Sequence, residues 1–198
     1  MDKKYFYDFI VKMQAISKIG LLFSKDDYAL ENYQQINDLS KTMLESFMDV
    51  DFSRPNYFQR EIYPTPNVSV RTVIFNADGH LLLVKEAKSG LYSLPGGWCD
   101  LYDSPSQAAR SEVEQEAGID IEFIRLVGVI NHTPHTGIPE YVVVFEARPI
   151  SNFHAHSHET THVGYFPLDQ LPNLSHKLDF GEFQRIVKAV VDKKTIFD

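Results

Sequence analysis

A chain of 198 residues with 43% hydrophobic and 13% aromatic side chains can bury a full core, and its length suits one domain plus an appendage. A formal net charge of −8 argues against a general nucleic-acid-binding surface, so no nucleic acid polymer is expected as partner. One cysteine, Cys99, rules out an internal disulfide, and no apolar run is long enough to span a bilayer.

The first residues, MDKKYFYDFI, lack the uninterrupted apolar stretch of a signal peptide, so a cytoplasmic protein is expected, with no membrane partner. Residues 4–49 read as two amphipathic helices. Phe6, Phe9, Ile10, Met13, Ile16 and Ile19 recur mostly at three-residue spacing, and Gly20 marks the expected break. Ser24-Lys25-Asp26-Asp27 then reads as a second start, a serine cap with acidic residues in the first turn. Ala29, Tyr33, Ile36, Leu39, Met43 and Phe47 form its stripe. Two such helices cannot bury both stripes alone, so they should pack as a hairpin and against either the rest of the chain or a second subunit.

Residues 51–66, DFSRPNYFQREIYPTP, hold three prolines and no clear period, the pattern of a linker. The stretch also carries Arg54 and Tyr57. A guanidinium can fork a phosphate and a ring can stack on a base, or both residues can simply anchor the linker.

From residue 68 the period becomes two. Val68, Val70, Thr72 and Ile74 alternate with Ser69, Arg71 and Val73, Asn76-Ala77-Asp78-Gly79 supplies a hairpin turn, and residues 81–84 a buried strand. Arg71 is either a phosphate contact or a solvent-facing strand residue.

The stretch GGWCDLYDSPSQAARSEVEQEAGI, residues 96–119, reads as a tight glycine loop, a helix and a glycine stop. Ser104 with Gln107 makes a capping box, Pro105 falls at the first helical position, and Gly118 sits where a left-handed residue ends a helix. Ala109, Val113 and Ala117 form a small-residue seam for packing on a sheet. Glu112, Gln115 and Glu116 fall on an adjoining face. Two carboxylates one turn apart beside a glycine loop suit a hard cation; the competing reading is a solvated acidic face.

Beyond it, residues 123–130 and 141–148 read as strands, and Glu146 either reaches the carboxylates or faces water. On an extended chain His154, His156 and His158 share a face that could hold a transition metal. Phe183, Ile186, Val187 and Val190 mark a closing amphipathic helix over residues 180–191.

Gly97, Asp103, Ser111-Glu112-Val113, Gln115-Glu116 and Gly118-Ile119 resemble the Nudix box, G-x5-E-x7-R-E-U-x-E-E-x-G-U, with U a bulky aliphatic residue. Gly97, Glu112, Val113, Glu116, Gly118 and Ile119 match it. Asp103 stands for a Glu, Ser111 for the Arg and Gln115 for a metal-binding Glu. Neighbouring Arg110 is no simple substitute, because one helical step turns it about 100° away.

The resemblance implies an α/β fold: a Nudix-type α/β/α sandwich around a mixed sheet, preceded by a small helical N-terminal domain. The division is then residues 1–50 for the helical domain, 51–66 for the linker and 67–198 for the Nudix domain. A similar helical extension occurs in a Nudix subgroup that includes pyrophosphatases acting on CDP-choline and ADP-ribose. His158-Glu159-Thr160 resembles the segment in which that subgroup places a loop glutamate assisting the metal or the attacking water. The implied activity is hydrolysis, with Mg2+ or Mn2+, of the pyrophosphate bond of a nucleoside diphosphate linked to another group. Glu112, Glu116 and Glu159 are the implied catalytic residues, and Gly96 through its carbonyl, Glu112, Gln115, Glu116 and Glu159 the metal ligands. Arg54, Tyr57 and Arg71 are candidate substrate contacts, and the N-terminal helices a candidate homodimer interface. The three departures keep open a nucleotide-binding or regulatory protein with weakened hydrolysis, and the N-terminal helices leave a third reading, an assembly module acting through them.

Overall fold

The computed structural model describes residues 3–46, 66–132, 140–155 and 157–198. The chain divides into two compact units, Met1–Pro64 and Thr65–Asp198. Arg54, Tyr57 and His156 lie outside the described residues.

In the first unit α1 (Lys3–Phe23) and α2 (Asp27–Glu45) pack on one another as a hairpin. Gly20 does not break α1. It lies against Tyr33 of α2, whose ring would be 2.4 Å from an added Cβ, so its missing side chain brings the helices together. The cap of α2 is Asp26, which accepts from the Ala29 N–H at 2.8 Å, while Ser24 Oγ accepts from Asp26 N one step earlier. A carboxylate there serves the orphan amides and the helix dipole together. The buried residues of α1 are Tyr7, Ile10, Val11, Gln14 and Ser17, while Phe9, Ile16 and Ile19 are exposed, as are Leu39 and Met43 of α2. The expected stripe is thus rotated: α1 is apolar on more than one side, and period alone does not choose between them.

The second unit runs β1 (Asn67–Ile74), β2 (Leu81–Glu86), β3 (Tyr92–Ser93), α3 (Pro105–Ala117), β4 (Ile121–Asn131), β5 (Glu140–Pro149), β6 (Thr160–Phe166), α4 (Phe180–Val191) and β7 (Ile196–Phe197). One sheet is mixed, ordered β1-β5-β4-β7, with β1 and β7 parallel to their neighbours and β4 antiparallel to β5. The other, β3-β2-β6, is antiparallel. Period-two alternation divides β1 and β2 between two cores. Ile74, Leu82 and Val84 pack with Val113 and Ala117 of α3; Val73, Leu81 and Leu83 pack with Phe183, Ile186 and Val190 of α4. That is why residues 81–84 are apolar without interruption.

Glu146 neither reaches the box carboxylates nor faces water alone. It accepts from Arg125 Nε at 2.7 Å, and the same guanidinium donates to the carbonyls of Ala189 and Lys194. The pair fastens the C-terminal end of α4 to the mixed sheet. β7 lies parallel to β4 over Gly128 and Val129, where a Cβ on Gly128 would meet Ile196 O at 1.9 Å.

Candidate active site

Local chemistry sets α3 in place. Ser104 and Gln107 exchange the two bonds of a capping box, Pro105 opens the first turn, and Gly118 closes the helix in the left-handed conformation (φ 61°, ψ 42°). Its buried line is Ala108, Ala109, Val113, Glu116 and Ala117, so one carboxylate travels inward with the small-residue seam.

The Pro95-Gly96-Gly97 loop runs beside β1, with Val70 N donating to Gly97 O at 2.8 Å and Thr72 N to Pro95 O at 3.0 Å. Gly96 has φ +147°, and a Cβ there would lie 2.0 Å from Val70 O. Its N–H donates to Glu116 Oε2 at 2.8 Å. A Cβ on Gly97 would lie 2.3 Å from Glu112 Oε1. Two glycines thus let two glutamates of α3 meet the loop backbone. Thr160 Oγ1 donates to Glu116 O at 2.8 Å, which ties the same turn of helix to β6.

Burial pushes the Glu112 carboxyl up to about 7, and the Glu116 and Glu159 charges add to it against Arg71 and Lys177. Glu116 is also raised by burial, against Lys177, the Gly96 N–H and Arg71. Glu86, at the end of β2, behaves oppositely: burial would raise it, but Lys177 and the Ser89, Ser175 and Ser93 hydroxyls hold it below its ordinary range.

Arg71 is not a solvent-facing strand residue. It is buried, its Nη1 donates to Val70 O at 2.7 Å, and its Nε has no hydrogen-bond partner among the described residues. Burial lowers its pKa, opposed by Glu116, Glu140, Glu112 and Glu86, and a guanidinium in such company stays charged. Lys177, just before α4, places Nζ 3.6 Å from Glu86 Oε1 and 3.8 Å from Glu116 Oε1. Arg71 and Lys177 help to line a cavity of about 490 Å³, together with Tyr92, Leu171, Leu174 and Phe183. Sequence reasoning missed Glu86 and Lys177; neither belongs to a motif, and only the fold brings them to Glu116.

The other expected residues are dispersed. Glu159 is exposed in the turn before β6, near enough for its charge to act on both box glutamates. Gln115 is exposed, and its backbone carbonyl accepts from Ser157 N at 2.6 Å. Arg110 donates to Ile121 O at 2.5 Å and lies over the Phe123 ring, so it does not serve the glutamates. His154 and His158 lie on irregular and turn backbone respectively, and His156, the middle member of the trio, lies outside the described residues. No three His, Cys, Asp or Glu side chains among the described residues are gathered as a ready metal cage. Burial, with Asp103, Glu112 and Asp100 nearby, pushes the half-buried Cys99 thiol up to about 11. Cys99 is therefore expected to resist iodoacetamide at pH 7.5, as intact mass would show, and to react only once the protein unfolds.

Residues 65–187 match the NUDIX domain family. The chain is a Nudix hydrolase. Its residues 4–54 match a second family, the UDP-X-like N-terminal oligomerisation domain. Among relatives of this Nudix protein, YjhB of Bacillus subtilis, provisionally described as an ADP-ribose pyrophosphatase, is 35% identical over 196 residues, 94% of each chain. A crystal structure of a UDP-X diphosphatase aligns with TM-score 0.64 at 26% identity over 98% of each chain. An ADP-ribose pyrophosphatase from Streptococcus suis aligns with TM-score 0.58 at 31% identity, over 68% of this chain and 97% of that one.

Nudix hydrolases work with divalent metal ions, and the residues present fit one. The donors are hard oxygens, and burial and mutual repulsion disfavour the ionised glutamates unless a cation joins them. Two carboxylates suit an ion that keeps several waters or phosphate oxygens in its shell, as Mg2+ does. The metal-free Nudix protein carries a signature of this strain. The folded state holds Glu112 protonated up to about 7, against 4.5 for an ordinary Glu, so in that window it binds more protons than the unfolded chain. Its contribution to stability is complete below the ordinary value and is lost as pH rises through about 7. With EDTA present, thermal scans are expected to give a lower Tm at pH 8 than at pH 6, and Glu112→Gln should narrow that difference.

Proposed function

We propose that this Nudix hydrolase cleaves the pyrophosphate bond of a nucleoside diphosphate linked to a second group, with ADP-ribose the leading substrate and CDP-choline and UDP-linked compounds next. The observation that carries the reading is the meeting of opposite charges at one place. Glu112 and Glu116 lie against the Gly96-Gly97 loop, the charges of Arg71 and Lys177 act on both, and those two cations line the cavity. Relatives described as ADP-ribose pyrophosphatases support the choice of substrate.

Glu112, Glu116, the Gly96 carbonyl and Glu159 would hold Mg2+ or Mn2+, with Gln115 offering an uncharged oxygen. When bound, the ion offsets the substrate's negative charge and acidifies a water. The chain's own residues do the rest. Arg71 and Lys177 bind phosphate oxygens, the Gly96 N–H orients Glu116, and Glu112 or Glu159 accepts the proton of the attacking water. Water adds to one phosphorus, the bridging P–O bond breaks, and two phosphomonoesters leave. The exposed Phe9, Ile16 and Ile19 of α1 leave a face for homodimer formation through the helices.

The test is phosphomonoester release from ADP-ribose, CDP-choline and UDP-sugars, with Mg2+ and then Mn2+. Metal-dependent turnover ranks the substrates. Binding of ADP-ribose by folded protein without turnover of any compound would instead favour the weakened, nucleotide-binding reading that Ser111 and Gln115 suggest.

A further inference from the structure

Without a divalent ion, Glu116 has a cationic neighbour of its own. Lys177 Nζ lies 3.8 Å from Glu116 Oε1 and 3.6 Å from Glu86 Oε1, longer than tight ion pairs, so one ammonium is shared between two carboxylates. Both acceptors are largely buried, with side-chain exposures of 6% for Glu116 and 14% for Glu86, while Lys177 keeps 39% of its side chain exposed and can withdraw. Among the described residues no second mobile cation acts on Glu116: Arg71 is buried and donates to the backbone of β1. Ser111 has no guanidinium, and Arg110 is held at Ile121 and Phe123.

The geometry points to Lys177 as the resident counter-cation of the divalent-ion site: its ammonium neutralises Glu116 and Glu86 in the metal-free protein, and metal entry displaces it toward the cavity. The inference rests on the metal-dependent reading above. It makes Lys177 a competitor of the ion before substrate arrives and a phosphate ligand afterwards. Two cations cannot share Glu116 at about 4 Å without mutual repulsion. Removing the ammonium therefore tightens metal binding while weakening substrate binding, two effects of opposite sign. A residue that merely orients the carboxylates would, on removal, weaken both.

Manganese binding would be measured by electron paramagnetic resonance at pH 7.5, without nucleotide, on wild type, Lys177→Met and Lys177→Arg. Lys177→Met is expected to bind Mn2+ about tenfold more tightly, with Lys177→Arg close to wild type. Equal or weaker Mn2+ binding by Lys177→Met overturns the proposal. A second measurement needs no variant: acetylation of Lys177 by acetic anhydride, read by mass spectrometry, should rise several-fold on adding Mg2+ and fall again with EDTA. No change in that labelling overturns displacement. Neither readout uses turnover, so a protein that hydrolyses none of the compounds still decides the question. Failure of wild type to bind Mn2+ at all would remove the metal-dependent reading, and this inference with it.

Discussion

Glu116→Gln is expected to lower kcat/KM by at least about a thousandfold, on the order of 4 kcal/mol of transition-state stabilisation, without lowering the Tm of the metal-free protein. The two halves of this expectation have one cause. Glu116 is the most buried acidic side chain of α3, and burial raises its pKa, so its ionised form is held at a cost. A glutamine keeps an oxygen to accept from the Gly96 N–H and removes the charge. What it lacks is the negative charge that draws a divalent ion to the site. Thermal scans with and without Mn2+ would separate the effects: wild type should gain Tm with metal, and the variant should not. A fall in the metal-free Tm by several degrees would show that Glu116 serves the fold first and the chemistry second.

The second large effect distinguishes the two glycines of the loop. Gly96→Ala is expected to destabilise the protein by about 3 kcal/mol or more, because the added carbon would lie 2.0 Å from Val70 O at a φ of +147°. Neither obstacle gives way, since one is the backbone of β1 and the other a conformation that side chains avoid. Gly97→Ala meets Glu112 Oε1 at 2.3 Å, the far end of a side chain that can rotate aside. It should fold, with a modest loss of Tm, and bind Mn2+ about 10- to 100-fold more weakly because Glu112 is displaced. Urea unfolding and metal titration of the pair would check both. Equal stability losses would mean that the loop cannot shed Glu112 separately from β1.

How much could be read before folding depended on the range of the signal. The ends of α3 were legible because Ser104, Pro105, Gln107 and Gly118 act within a turn of their own position. Glu112 and Glu116 were legible because a motif fixes their spacing, and the glycines beside them report the close approach. The cap of α2 was misjudged by two residues, since Ser24 and Asp26 are both capping types and only geometry chose Asp26. The solvent-facing alternative for Arg71 failed for a different reason. Alternation tells which residues share a side of a strand, but β1 has a packed core on each side from Ser69 to Ile74, so no position there had to face water. Lys177 and Glu86 were beyond reach altogether. They are 91 positions apart in the chain and meet only because β2 and the segment before α4 both end beside Glu116. Glu146 had its partner 21 residues back, in Arg125, a pairing set by the register of β4 on β5.

The short strand β7 has a consequence for handling the protein. β4 is the last long strand of the mixed sheet, and beyond it only Ile196 and Phe197 continue the ladder, while Asp198 accepts from the Asn131 N–H and pairs with Arg185. An open strand edge with Ile124, Leu126 and Val129 exposed along it is a template for aggregation, and residues 196–198 act as its gatekeeper. Removing them would leave Glu112 and Glu116 untouched and still invite molecules to pair edge to edge.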